Sequence, residues 1–226
     1  PPFGLHLDPR AAARMSRHGT KLVVSPTRRL SSEAAYIQEI LGSLSDLGRA
    51  AVIVPNGFLS RGGSDRNFRE ALVDCNAVQA VVGLPERLFA PGTTIETAIL
   101  ILKCPKPRDR KGSVLFLDAR GMGQREGVRV VLDNTTVDRI GSACRANRDE
   151  AGFCRVIPSE KLSDVDFSLS PARHVEPVIH PAAMSPLDRR ARIIELDERH
   201  AALCQEYETL RFQLAKPNRS RNPARI

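Results

Sequence analysis

The sequence predicts an α/β domain followed by a long helix, and three patterns carry that reading. Short runs at residues 50–54, 78–82 and 97–102, the first all-apolar and the others nearly so, alternate with segments of helical period. Runs without a polar face suit a mostly parallel sheet with flanking helices on both sides. Beyond Pro186, apolar residues fall at alternating three- and four-residue steps, the spacing of a coiled-coil seam.

Composition sets the limits. A chain of 226 residues, 42% hydrophobic and 27% charged, can bury one real core and carry an appendage. Its longest apolar runs are far too short to span a bilayer, and no charged start followed by an apolar run marks a signal peptide. Five cysteines without a Cys-x-x-Cys spacing point to free thiols in a reducing, cytoplasmic setting. The five histidines form no ligand-spaced set, so no metal is expected. A formal charge of +8 favours a polyanionic partner.

Taken in order, residues 5–30 lack any period and carry Arg10, Arg14, Arg17, Lys21, Arg28 and Arg29 against the single acid Asp8. Such a segment suits phosphate contact, or is a solvated basic loop. Ser31-Ser32-Glu33 supplies an N-cap for a helix with Ala35, Ile37, Ile40, Leu41 and Leu44 as its apolar positions, ending at Leu47-Gly48. The first strand follows and stops in the turn Pro55-Asn56-Gly57. Ser64-Asp65 opens a second helix through Phe68, Ala71 and Leu72. The second strand is halted by Gly83-Leu84-Pro85, a loop spans residues 86–94, and further strands are expected at 97–102 and 113–117. Residues 134–148 look helical and 165–175 extended or looped. The seam runs through Ile193, Leu196, His200, Leu203, Tyr207, Leu210 and Leu214, and a basic tail follows it.

Two glycine clusters carry no nucleotide signature. Arg61-Gly62-Gly63-Ser64 lacks the Gly-Lys-Ser/Thr ending of a phosphate loop, and no second half of a dinucleotide fingerprint follows Gly121-Met122-Gly123.

The chemistry sits at the front of the chain, in Pro1-Pro2-Phe3-Gly4. Two prolines fix the backbone and leave their carbonyls free as acceptors, and the phenyl ring after them offers a flat apolar face. A rigid acceptor beside a stacking platform suits an exocyclic amine on a flat heterocycle. The tetrapeptide resembles the Asn-Pro-Pro-Phe motif of amino-methyltransferases, less its Asn. Three further segments follow in order: Gly48-Arg49-Ala50-Ala51-Val52-Ile53-Val54-Pro55-Asn56-Gly57, Gly83-Leu84-Pro85-Glu86-Arg87-Leu88-Phe89, and Thr97-Ala98-Ile99-Leu100-Ile101-Leu102. The series is similar to the second half of the adenine-N6 DNA methyltransferase domain in modification subunits of type I restriction–modification systems. Asp166-Phe167-Ser168-Leu169-Ser170-Pro171-Ala172-Arg173-His174-Val175 resembles the segment that closes that domain, where tyrosines often replace Phe167 and His174.

The resemblance implies the distal half of a Rossmann-like methyltransferase domain over residues 1–176, with a linker, an assembly helix and a basic tail over 177–226. It implies methyl transfer from S-adenosylmethionine to adenine in double-stranded DNA. It assigns Pro1, Pro2 and Phe3 to the catalytic site, with the Pro1 carbonyl accepting from N6 and Phe3 stacking on a base flipped from the duplex. The donor's glycine-rich loop and the motif's Asn are expected upstream of Pro1, so the isolated chain, a fragment without an initiator Met, is expected to be inactive. Implied partners are a specificity subunit, packed on the C-terminal helix, and a restriction subunit; no membrane is implied. The alternative is a non-catalytic DNA-binding or assembly fragment.

Overall fold

The computed structural model describes residue 3 and residues 31–103, 106–177 and 186–215. Helix α1 (Ser32–Ser43) begins where the sequence places it, because the Ser31 hydroxyl accepts from the Ala34 amide at 3.3 Å. It buries Ala34, Ala35 and Ile37 and ends four residues before Leu47, with the Leu44 amide donating to the Leu41 carbonyl at 3.4 Å. Strand β1 (Ala50–Pro55) follows. The turn expected at Pro55-Asn56-Gly57 is instead a short helix, α2 (Asn56–Ser60), which buries Phe58 and Leu59. Helix α3 (Ser64–Asp74) leads to β2 (Val78–Gly83), and β3 (Thr97–Leu102) and β4 (Ser113–Asp118) complete the predicted strands. A small hairpin, β5 (Gln124–Glu126) and β6 (Arg129–Val131), precedes helix α4 (Asn134–Ala146), which Asp133 caps through the Thr136 amide at 2.8 Å. Strand β7 (Cys154–Pro158) is the last.

The main sheet has the order β1-β3-β2-β4-β7. Strands β1, β2 and β4 run in one direction, as the helix–strand alternation requires, whereas β3 and β7 run against them. Only β2 and β4 pair in parallel, so the sheet is mixed at the level of its ladders. The all-apolar runs have a physical cause other than parallel pairing. Val81, Leu100, Val114 and Phe116 pack into one core with α1, α2 and α3, while their neighbours Ala80, Val82, Leu115 and Leu117 pack into a second core with Ala143 and Phe153. Both faces of the central strands are covered, and that is what removes the polar alternation.

The chain after β7 closes the first core. A 3₁₀ segment (Ser159–Val165) buries Leu162, and Asp166 and Phe167 both adopt positive φ, at 57° and 50°. The Leu169 amide then reaches the Leu59 carbonyl at 2.8 Å. Arg69 of α3, fully buried, donates to the carbonyls of Phe167 (2.9 Å), Phe58 (2.8 Å) and Arg61 (2.7 Å). It thereby caps the carboxyl end of α2 and ties the closing segment to it. His174 stacks on Phe116 with ring centroids 3.9 Å apart and bonds the Ser168 carbonyl through Nε2 at 2.8 Å.

The chain forms two compact units, Pro1–Val178 and Ile179–Ile226. The second contains α5 (Pro186–Ala215), a 30-residue helix on which Ile193, Leu196, Leu203 and Tyr207 are all exposed. The side chains of Leu210 and Leu214 lie outside the described set. Among the described residues no helix is long and apolar enough to cross a membrane, and no group of His, Cys, Asp and Glu is arranged to hold a metal ion.

Candidate functional site

Of the three residues assigned to the site from sequence, Phe3 is described; Pro1, Pro2 and the basic segment 5–30 lie outside the described residues. Phe3 is half-buried and lines a cavity of ≈ 570 Å³. The other walls come from Ile40 of α1, from Ala51 and Ile53 of β1, and from Phe89 and Thr93 of the loop between β2 and β3. Strand β1 is the outermost of the described sheet, with Val52 and Val54 in the core and Ala51 and Ile53 exposed. Among the described residues no charged side chain lines the cavity. It suits a flat, neutral heterocycle between two rings.

In the sequence Phe89 enters only as the end of the segment 83–89, with no site role. Its signal was an aromatic residue in a loop rich in Gly, Pro, Thr and charged residues. The ring is 39% exposed. The loop is nonetheless held firmly. Leu84 N donates to Thr97 O (3.0 Å), Thr93 N to Phe89 O (3.2 Å), and the Arg87 carbonyl accepts from both Ala90 N (3.2 Å) and Val130 N (3.1 Å).

Beside this cavity, at the carboxyl ends of β1, β2 and β4, lies a polar network that the sequence reading also missed. Asn56, the first residue after β1, donates from Nδ2 to Glu96 Oε2 at 2.7 Å and accepts at Oδ1 from the Ser170 hydroxyl at 3.2 Å. Glu96 accepts from Arg120 Nη1 at 3.5 Å. Arg120 grips Asp118 as a fork, with Nε to Oδ1 at 2.9 Å and Nη2 to Oδ2 at 2.7 Å. Burial alone would raise the Asp118 carboxyl, but the Arg120 hydrogen bonds and charge outweigh it and hold it below the usual range. The guanidinium is correspondingly raised, first by its bond to Asp118. Gly83 lets the chain pass close beneath this network: a Cβ there would meet Arg120 Cγ at 3.3 Å and Pro171 Cγ at 3.4 Å, so the Arg120 side chain would have to give by a few tenths of an ångström. In open α/β sheets the carboxyl ends of co-directional strands are where ligands bind.

Elsewhere the chemistry is quiet. A cavity of ≈ 390 Å³ beside Glu150, Cys154, Arg155 and Glu176 lies on the far strand, β7. Burial pushes the Cys154 thiol up, as it does that of Cys144, so neither is poised as a nucleophile. Cys75, Cys144, Cys154 and Cys204 are all free.

A profile of the N-6 DNA methylase family matches residues 1–180. The chain belongs to that family. The methylase subunit of type I restriction enzyme MjaVIII from Methanocaldococcus jannaschii is 29% identical over 177 residues, covering 75% of this chain and 29% of that subunit. The HindI methylase subunit of Haemophilus influenzae is 33% identical over 150 residues, 62% of this chain and 33% of its own. The chain thus spans a third or less of the length of these relatives. A solved type I methyltransferase subunit from Streptococcus thermophilus superposes with a TM-score of 0.67 at 22% identity, over 78% of this chain and 37% of that one. At that identity the likeness shows the fold, and an N-6 DNA methylase fold is what it shows.

Proposed function

We propose that the protein carrying this chain methylates N6 of adenine in double-stranded DNA, as the modification subunit of a type I restriction–modification assembly. The observation that carries the reading is the pairing of Phe3 and Phe89 on one uncharged cavity at the open side of β1. Two phenyl rings on one cavity offer stacking surface to a purine, and the described lining carries no charge that would compete with it. Because adenine is inaccessible inside a duplex, the target base must be flipped into this cavity. Its N6 lone pair is delocalised into the ring, so an acceptor that binds the amino hydrogens favours a pyramidal, nucleophilic nitrogen. The Pro1 carbonyl is assigned that role by the family motif, and positioning supplies much of the rate.

The methyl donor would be S-adenosylmethionine, which supplies an electrophilic methyl group on sulfur. Among the described residues none that lines the cavity beside Phe3 is charged, so they offer no partner to its charged amino-acid end. The described residues are therefore assigned to the base and not to the donor. Supporting readings concern partners and setting. The exposed apolar residues of α5 offer a surface to a specificity subunit, the +8 charge suits DNA and a restriction subunit would complete the assembly, while free thiols suit the cytoplasm.

The test is a pair of variants, Phe3→Ala and Phe89→Ala, in the complete assembled enzyme. Base–aromatic stacking is worth about 1–3 kcal/mol, so each variant should slow single-turnover methylation by roughly 5- to 150-fold. Duplex affinity, dominated by phosphate contacts, should stay within about twofold. Equal losses in binding and rate would reject the base-stacking assignment.

A further inference from the structure

The loop of residues 85–94 separates two cavities, and the second carries an inference of its own. Phe89 faces the uncharged cavity, whereas Arg87, two residues earlier, lines a cavity of ≈ 430 Å³ together with Arg120, Arg125, Glu86 and Glu96. Three guanidinium groups therefore converge from three segments: the loop after β2, the turn after β4, and strand β5. Their states differ. Arg120 is committed to Asp118 and Glu96, and Glu96 is committed to Arg120 and Asn56. Arg125 spends Nε on the Gly127 carbonyl at 3.1 Å and keeps its two terminal nitrogens. Arg87 makes no side-chain hydrogen bond or ion pair among the described residues, and its side chain is exposed. Against the acid Glu86, the cavity holds two available cations.

The backbone points the same way. Arg87 sits at φ +61°, a left-handed conformation that a glycine would adopt at lower cost. The two amides on its carbonyl, from Ala90 and Val130, hold it there and fasten the loop to the β5–β6 hairpin. A strained arginine whose side chain has no partner among the described residues, held at the mouth of a polar cavity, is a residue placed for a ligand. The ligand chemistry follows from the donors: a guanidinium fork matches the oxygens of a phosphate. The position selects the source. Two residues of chain span at most about 7 Å, so Arg87 and the base-facing Phe89 lie within the reach of one nucleotide.

We propose that this cavity binds a phosphodiester of the target strand next to the flipped adenine, with Arg87 and Arg125 as its donors. The phosphate contact would fix the sugar–phosphate backbone while the base rotates out. The inference rests on the methylase reading of the neighbouring cavity.

The test uses the complete assembled enzyme and duplexes in which one phosphate at a time, on either side of the target adenine, is replaced by a neutral methylphosphonate. One position should weaken wild-type binding about tenfold, as expected for a lost charged hydrogen bond, and lower the salt slope by about 0.9. Arg87→Gln should show the same loss on natural DNA and no further loss at that position, and Arg125→Gln a similar pattern. Arg87→Lys should recover part of the affinity. Melting temperatures and the response at all other phosphates identify a variant that is merely misfolded, since misfolding weakens every duplex alike. Losses that multiply at every phosphate would overturn the proposal. So would unchanged DNA affinity in Arg87→Gln with altered inhibition by inorganic phosphate, which would mark a small-anion site. Non-multiplying losses in an enzyme that transfers no methyl group would uphold the phosphate site and reject the methylase reading; normal methylation with multiplying losses would do the reverse.

Discussion

Replacing Arg69 with Met should unfasten the closing segment of the domain, and the size of the effect can be worked from its contacts. The side chain is fully buried and donates to three carbonyls at 2.7–2.9 Å, two at the end of α2 and one at Phe167. Methionine has similar bulk and no donors, so those carbonyls lose their partner. Each unsatisfied buried group costs about 1–3 kcal/mol, or roughly 6 kcal/mol for three at mid-range. The opposing gain is relief of a desolvated charge. Burial, only partly offset by Asp65, lowers the guanidinium from its ordinary value to about 10, worth about 3 kcal/mol at 1.36 kcal/mol per unit. The net loss is on the order of 3 kcal/mol, a fall in melting temperature of roughly 6–12 °C for a domain of this size. Lysine has three donors on one point and no fork, so Arg69→Lys should fall between the two. Thermal denaturation followed by circular dichroism measures all three proteins. A melting temperature for Arg69→Met within about 2 °C of wild type would refute the claim that this arginine holds the closing segment.

Two further outcomes follow. Burial lowers the His174 pKa from its ordinary 6.5, so the fold favours the neutral ring: its contribution is fully present above pH 6.5 and is lost as pH falls through 6.5 toward the folded value. His174→Phe keeps the stack on Phe116 and should flatten that acid slope in denaturant titrations between pH 7 and 5; an unchanged slope would assign it to other groups. On α5, Leu203 is 56% exposed, so Leu203→Asp should leave the melting temperature of this chain unchanged. In the assembled enzyme it should release the specificity subunit, because an unpaired buried charge costs several kcal/mol; a large drop in the chain alone would show that the helix packs on its own domain.

How far the sequence revealed this molecule depended on what each residue's neighbours in the chain could report. Strands β2 to β4 were legible because both of their faces are buried, which leaves a nearly continuous apolar run, and β1 because Ala51 and Ile53 are apolar although exposed. The same fact hid their direction, since β3 is as apolar as β2 yet runs against it. Strand β7 was missed because it is paired on one side only and keeps Arg155 exposed, and the β5–β6 hairpin because it is three residues long on each side and mostly exposed. Helix α1 announced itself through its cap, Ser31; the Asp133 cap of α4 went unread although the helix itself was expected over 134–148. Phe3 was proposed from a contiguous motif. Asn56, Glu96, Asp118, Arg120 and Ser170 were not, because the network spans 114 residues of sequence and its members meet only when the strands align.

The direction of β3 is also what builds the site. In the sheet register Pro55 at the end of β1 faces Thr97 at the start of β3, and Gly83 at the end of β2 faces Ala98. An antiparallel strand begins where its neighbours finish, so the connection from β2 to β3 never leaves the carboxyl edge of the sheet. Arg87, Phe89, Thr93 and Glu96 all ride on that connection and are delivered to the edge where Asn56 and Asp118 already stand. A parallel β3 would need a crossover along one face of the sheet, returning the chain to the opposite edge before the strand began. The carboxyl ends would then hold Asn56 and Asp118 without Phe89, Arg87 and Glu96 beside them. The inserted antiparallel strand thus places an aromatic residue, an arginine and a carboxylate within one short return loop.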